Sequence, residues 1–525
     1  MIPFAAPTDW ILFSLETAAT AGPQSEWDPE LARAVLDPFA RLAEEVIAPA
    51  DLAADHEGCC LEGGRVRLPP AMRTAYRAYA EQGWPALSLP ERHGGQGLAP
   101  PLQGAVTEIF AGACHALQMV AGLVPGAART LERFGTLDQQ ERWLPRLASG
   151  EWLATMALTE PGAGSDLSGV RTRAEAETGA APWRISGEKI FISGADQDLT
   201  ERILHLVLAR TGPAGSGTRG LSLFLVPSHD EAGQRLPVQV TRLEEKMGLH
   251  GSPTCQMLFE SATAELLGPE GEGLRAMFTL MNHARLDVAL QGVAHATRAS
   301  HIATTYAATR IQGGRPLAGH PDVRRMLDTA EALALGGRAL CHVALGALDC
   351  PQTAPLVDFL TPVCKVACTE AGIEAASLAI QVLGGYGYLR EYRVEQVWRD
   401  ARVTAIYEGA NGIHALSLVT RLLRHAEGAA AEAFARFVGD SGALDALAVW
   451  QEARQQLLAR PDPAPAADAF MQLTIETAFA AVWARLERAA DHAPDPARLR
   501  ALAAFTAARR PARLRYGAEL VTVAL

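Results

Sequence analysis

The sequence predicts a mainly helical α+β protein: an N-terminal helical domain over residues 1–154, a middle antiparallel β-domain over 155–270, a C-terminal helical bundle over 271–424 and an added helical region over 425–525. Three observations predict it. Apolar residues recur at three- and four-residue steps on both sides of the middle, as on the buried stripe of a helix. Short runs rich in Ile, Leu, Val and Phe, separated by Gly, Pro, Ser and Asp, fill the middle. After Arg424 the chain becomes alanine-rich, which favours helix.

In the first part, PELARAVLDPFARLAEEVIAPA and PAMRTAYRAYAEQG carry the helical spacing, and LSLPERHGGQGLAPPLQG, dense in proline and glycine, predicts a loop between helices. Gly135 followed by Thr136–Asp138 marks a helix boundary. The strands of the middle part are expected in PWRISGEKIFISG, ILHLVLART, GLSLFLVPS and TCQMLFES. Long helical patterns return from Glu272 to Leu423, including GLRAMFTLMNHARLDVALQGVAHATRASHIATTYAATR and LVDFLTPVCKVACTEAGIEAASLAIQVLGG. PDPAPAAD and HAPDPAR break the last hundred residues. No fixed-period repeat is apparent, so a solenoid is not expected.

Length and charge bound the function. A chain of 525 residues forms two to four packed units and can bury a large cofactor. Its 59 acidic and 47 basic residues give a net charge of -12, so no whole-molecule attraction to nucleic acid is expected. The eight cysteines form no CxxC pair, and Cys364 and Cys368, four apart on a helix, fit core packing; no metal is expected. MIPFAAPTDWILFSLE lacks a basic region ahead of a long apolar core, and no run is expected to span a membrane. The expected compartment is cytoplasmic.

The chemistry is concentrated in three places. TEPGAGSD, Thr159 to Asp166, combines hydroxyls with Gly162 and Gly164, whose missing side chains let backbone N–H groups approach a ligand. That signal alone is weak. KIFISG, Lys189 to Gly194, follows it, and GGYGYLREYRVEQVWRDARVTAIYEGANGIH, Gly384 to His414, comes later. These segments, in this order and at these distances, resemble the acyl-CoA dehydrogenase family from about Glu81 to Arg424. KIFISGADQDLTERILHLVLART, EEKMGLHGSPTCQMLFE and the tail resemble most the branch containing 3-methylmercaptopropionyl-CoA dehydrogenase.

The resemblance implies an acyl-CoA dehydrogenase-like fold that binds FAD and desaturates an acyl-CoA at its α,β bond. Glu408 falls at the position of the catalytic base, which would abstract the α-proton while the β-hydride passes to flavin N5, giving a trans-2-enoyl-CoA. Leu158, Thr159, Ser165, Phe191 and Ser193 fall where the family meets the flavin, with Ser165 also touching substrate. Arg310, Gln381, Gly384 and Gly385 match groups that reach the cofactor of a neighbouring subunit, implying a homodimer or homotetramer. Ala410, Asn411 and Gly412 continue the loop toward the flavin phosphates; Gly409, Asn282 and Arg285 fall near the substrate. A CoA thioester is an anion and needs such local basic groups. Arg285 has a second reading as a salt bridge within the bundle; Tyr386, Tyr388 and Tyr392 are read as packing and not as site residues, and His93 either lines the acyl pocket or is a solvent-exposed loop histidine.

An electron-transfer flavoprotein is the implied electron acceptor. Three other readings stand beside this one: an acyl-CoA oxidase, an acyl-carrier-protein thioester as substrate, and a non-dehydrogenating flavin-binding relative that binds nucleic acid or a protein through Arg498, Arg500, Arg509, Arg510, Arg513 and Arg515.

Overall fold

The computed structural model describes residues 2–19, 28–176, 182–213, 215–348 and 350–524. Helices α1 (Thr8–Ala19), α2 (Pro29–Leu42), α3 (Ala48–His56) and α4 (Pro70–Glu81) come first, with a hairpin of β1 (Cys60–Glu62) and β2 (Arg65–Arg67) between α3 and α4. Then follow α5 (Pro100–Ala121), α6 (Val124–Phe134) and α7 (Leu137–Ala148). The start of α7 is closed by a capping box, in which Gln139 N–H donates to Thr136 Oγ1 at 3.2 Å and Thr136 N–H to Gln139 Oε1 at 3.1 Å. This is the boundary that Gly135–Asp138 marked. PPLQG, expected in a loop, instead opens α5, because proline at a helix start has no N–H to leave unpaired.

The chain divides into two compact units. One comprises 41–99 and 113–284. Its sheet contains β3 (Trp152–Ala157), β4 (Arg173–Ala176), β5 (Trp183–Ser193), β6 (Arg202–Arg210), β7 (Leu221–Pro227), β8 (Val238–Leu243) and β9 (Thr254–Leu267). Strands β6, β4, β5, β9 and β7 pair in a closed ring, with β3 added beside β6 and β8 beside β9. Closure leaves few free edges. Most pairs are antiparallel, but β3 and β4 run parallel to β6. A parallel pair needs a crossover rather than a hairpin, and residues 158–201 supply it between β3 and β6.

The other unit comprises 1–40, 100–112 and 285–525. Helix α8 (Gly273–Thr309) enters it and is followed by a hairpin of β10 (Ile311–Gln312) and β11 (Arg315–Pro316), then α9 (Pro321–Gly346), α10 (Ala354–Leu383), α11 (Val394–Arg402) and α12 (Asn411–Ser417). Helices α8 and α10 cross with backbones touching: a Cβ on Gly292 would fall 2.2 Å from the Cys368 carbonyl oxygen. That close crossing fixes how far apart side chains from the two helices lie. A second close pairing is electrostatic, where Arg338 on α9 holds the Glu108 carboxylate of α5 at 2.6–3.1 Å with both groups buried.

Pro351–Tyr388 is apolar and long enough to cross a bilayer by composition, which the sequence reading did not anticipate. Its most apolar window has a mean hydropathy of 1.3, and 61% of that window is buried inside the fold. Those residues serve as core. α10 is covered on nearly all faces, so it lacks the polar stripe of a surface helix.

The last helices are α13 (Ala429–Asp440), α14 (Leu444–Leu458), α15 (Ala467–Arg488) and α16 (Pro496–Ala524). They share one continuous core with α9 and α10. At its centre Phe359 of α10 stacks on Phe434 of α13 at 4.6 Å, and Trp450 of α14 packs against Phe434 and Phe470 at 5.0 and 5.7 Å. The buried Trp450 indole donates to Thr474 Oγ1 at 2.9 Å, so it leaves no polar group unpaired.

Candidate active site

Between α11 and α12 the backbone reverses through two consecutive left-handed residues, Glu408 at φ 53° and Gly409 at φ 94°. A glutamate in this region is strained, so neighbours must hold it there. Three donors do so. His414 of α12 has Nε2 3.1 Å from the Glu408 carbonyl oxygen, Arg285 of α8 has Nε 3.4 Å from the same oxygen, and Lys365 of α10 donates to the Gly409 carbonyl at 2.8 Å. Only glycine fits beside the histidine, since a Cβ at 409 would lie 2.9 Å from His414 Nε2.

The Glu408 side chain is left without such partners. Its Oε2 is buried and makes no hydrogen bond among the described residues. Burial raises its pKa from 4.5 to about 7 against the opposing pull of Arg285 and Lys365. The same burial lowers Lys365 to about 7 and His414 to about 3, so the histidine stays neutral and donates as an Nε2–H tautomer. The result is a partly desolvated carboxylate of raised proton affinity beside two basic side chains. That is the state required of a general base working near neutral pH.

Behind the loop, Lys365 Nζ also donates to Asn411 Oδ1 at 2.8 Å, and the Asn411 amide nitrogen lies 3.3 Å from Thr369 Oγ1 and 3.2 Å from Glu370 Oε1. Gln472 of α15 donates to Glu370 Oε2 at 3.0 Å. Sequence reasoning missed Lys365, His414, Glu370 and Gln472. Lys365 did leave a trace, as a lone lysine in the apolar run LTPVCKVAC, and a fully buried lysine needs acceptors.

In the β-containing unit, the segment after β3 and the end of β5 are tied together by a buried ion pair. Lys189 Nζ donates to Glu160 Oε1 and to the Leu158 carbonyl, both at 2.8 Å, while Glu160 also accepts from the backbone N–H groups of Arg171 and Thr172. The Ile190 N–H bonds the Thr159 carbonyl at 2.9 Å. Leu158, Thr159, Phe191 and Ser193 are thereby brought onto adjoining segments. Phe191 sits at a break in the β5–β9 register with φ 58°, and its ring is 60% exposed. A bulge of this kind turns a side chain away from the regular alternation of the strand. Ser165 is exposed, and Gly162 has open space where a Cβ would stand.

The residues assigned to a neighbouring subunit's cofactor group at one surface. The Arg310 guanidinium lies 5.7 Å from the centre of the Tyr386 ring, next to Gly384 and Gly385, and Gln381 is exposed one turn before them. Ala410 precedes α12 and Gly412 lies in its first turn with nothing within 4 Å of a Cβ position. Asn282 and Arg285 lie three residues apart on α8. Two alternatives need correction. Tyr388 is 86% exposed rather than packed, because its short turn lifts it off the Tyr306–Tyr386–Tyr392 cluster. His93 is buried and 3.1 Å from Arg92 Nε rather than solvent-exposed.

The chain matches the family descriptions of the acyl-CoA dehydrogenase N-terminal domain over residues 29–151, middle domain over 155–262 and C-terminal domain over 271–423. It is 42% identical over 466 residues to 3-methylmercaptopropionyl-CoA dehydrogenase of Ruegeria pomeroyi, covering 83% of this chain and 79% of that one. It is 34% identical over 456 residues to a broad-specificity linear acyl-CoA dehydrogenase of Mycobacterium tuberculosis, covering 80% and 74%. An acyl-CoA dehydrogenase of Bacillus anthracis complexed with FAD shares the fold with a TM-score of 0.75 at 20% identity, over 95% of this chain and 88% of that one. The three-part match and the long alignments place the chain in the acyl-CoA dehydrogenase family, as an oxidoreductase acting on acyl-CoA.

Proposed function

We propose that the protein is an FAD-dependent dehydrogenase that converts an acyl-CoA thioester to the trans-2-enoyl-CoA, with Glu408 as the base that takes the α-proton. The buried, unpartnered Glu408 Oε2 carries the reading. A carboxylate of ordinary pKa, about 4.3, is a poor match for the α-proton of a thioester, and raising it to about 7 narrows the gap. The remainder must come from stabilising charge on the thioester oxygen. The Glu408 N–H makes no hydrogen bond among the described residues and is free to donate there.

The residues fit a flavin. The exposed Phe191 ring offers an aromatic face, and the half-buried Thr159 and Ser193 hydroxyls offer polar contacts. Open positions at Gly162, Gly384, Gly385 and Gly412 leave room for backbone N–H groups to meet phosphates, and Arg310 supplies positive charge. Leu158, Gln381 and Ala410 belong to the same proposed cofactor set, and Ser165, Asn282, Arg285 and Gly409 to the substrate set. Bound FAD would supply the acceptor for the two electrons leaving with the β-hydrogen. An electron-transfer flavoprotein would then reoxidise the cofactor in a cytoplasmic homo-oligomer.

Three of the six tail arginines are engaged in ion pairs, which counts against a nucleic-acid reading. Arg498 pairs with Asp328 and Glu331, Arg513 with Glu476 and Arg500 with Asp491. The decisive experiment adds a panel of acyl-CoAs to purified protein without oxygen and follows loss of flavin absorbance. Glu408→Gln should stay yellow and still bind acyl-CoA but bleach at a small fraction of the wild-type rate; an equal rate would refute the assignment.

A further inference from the structure

The shared aromatic core explains why residues beyond Leu423, where the family match ends, stay folded against the bundle. It does not explain why one polar side chain of that extension reaches toward the Glu408 loop. We propose that the extension positions this loop through Gln472, which orients the Glu370 carboxylate, which in turn fixes the direction of the Asn411 amide against Lys365. The proposal rests on the reading of Glu408 as the base.

The Asn411 amide can face Lys365 with either its oxygen or its nitrogen. Below its pKa of about 7 Lys365 is an ammonium group with donors only, so the carbonyl end must face it, as it does at 2.8 Å. A flipped amide would set NH2 against NH3+ and release a hydrogen bond that helps hold the Lys365 ammonium in place. Thr369 does not decide the matter alone, because its single hydroxyl hydrogen can go either to the Val366 carbonyl at 3.1 Å or to Asn411 Oδ1 at 3.5 Å. The Glu370 carboxylate does, since an ionised carboxylate only accepts and so selects the NH2 end, at 3.2 Å.

Burial, with the neighbouring Asp468, raises the proton affinity of Glu370 against the opposing pull of Gln472, Asn411 and Lys365. A protonated Glu370 would donate instead of accept and would favour the flipped amide. The Gln472 N–H at 3.0 Å therefore stabilises both the charge and the rotamer of Glu370. From there the chain of contacts runs through Asn411 to Lys365 and on to the Gly409 carbonyl, the residue after the base.

The test uses full-length, flavin-loaded protein carrying Gln472→Met, which keeps the volume and removes the donor, alone and combined with Glu370→Gln. Three quantities are measured: the limiting rate and half-saturating concentration of anaerobic bleaching, the rate at pH 6 and pH 8, and amide hydrogen exchange of residues 406–412. Gln472→Met should lower the limiting rate roughly three- to tenfold at an unchanged half-saturating concentration. The loss should be larger at pH 6 than at pH 8, with faster exchange in 406–412. In the Glu370→Gln background the same substitution should add nothing. Unchanged rate and exchange in Gln472→Met, or purely additive effects in the pair, would overturn the proposal. Hydrogen exchange needs no turnover, so it tests the linkage even if no acyl-CoA bleaches the wild type, an outcome that would count against the role of Glu408 instead.

Discussion

Lys189 has no exposed surface, and its ammonium lies 2.8 Å from Glu160, whose carboxylate is held by two further backbone N–H groups. The pair joins the segment that carries Leu158 and Thr159 to the strand end that carries Phe191 and Ser193. Removing one partner strands the other charge in the interior, which costs about 3–5 kcal/mol for buried pairs. Lys189→Met should lower unfolding free energy in urea by an amount in that range and weaken FAD retention, while Lys189→Met with Glu160→Leu should recover part of the stability. Flavin release measured by fluorescence reports the second effect.

The raised pKa of Glu408 sets the direction of two pH effects. Bleaching requires the carboxylate, so its rate should rise with pH through about 7. Stability runs the other way. A folded-state pKa of about 7, above the ordinary 4.5 of a glutamate, contributes stability that is fully present below 4.5 and lost as pH rises through 7. Glu408→Gln should therefore match wild type near pH 4.5 and exceed it above pH 7 by up to ~3 kcal/mol. Denaturant unfolding at the two pH values checks both sign and size.

Gly409→Ala tests the loop geometry. The new methyl group would meet His414 Nε2 at 2.9 Å and would occupy a φ of 94°, for a cost of roughly 1–3 kcal/mol of local strain. The expected result is a large loss of bleaching rate with a small change in melting temperature, because the strain can relax by moving the loop rather than by unfolding the bundle. A near-normal rate would show that the loop tolerates the methyl group.

Arg338 and Glu108 form a second buried pair, with Thr297 Oγ1 2.9 Å from Arg338 Nη2. Glu108→Gln should destabilise the protein by about 3–5 kcal/mol, whereas Arg338→Met with Glu108→Leu should cost much less. A double-mutant cycle in guanidinium chloride separates the coupling from packing losses.

The fold class was legible because periodicity is local. Three-residue and four-residue spacing, the short β runs and the Thr136 cap each declare themselves within about twenty residues. Glu408 was legible for a similar reason, lying in a continuous motif. The parallel pairing of β3 with β6 was not, because it joins residues some fifty positions apart and depends on the path of the crossover. Nor were Lys365, Glu370 and Gln472, whose relationship exists only once α10, α12 and α15 are packed. The membrane-length apolar stretch in α10 shows the converse, where composition over a window cannot tell a core helix from a spanning one.

The stack of Phe359 on Phe434, flanked by Trp450, has a practical consequence for anyone wishing to shorten the chain. Cutting at the end of the family match would bare a tryptophan-sized hollow and the apolar flank of α10 to water. Such a fragment should aggregate rather than yield a minimal enzyme, and limited proteolysis should fail to release one. What looks in the sequence like a detachable tail is a wall of the same room.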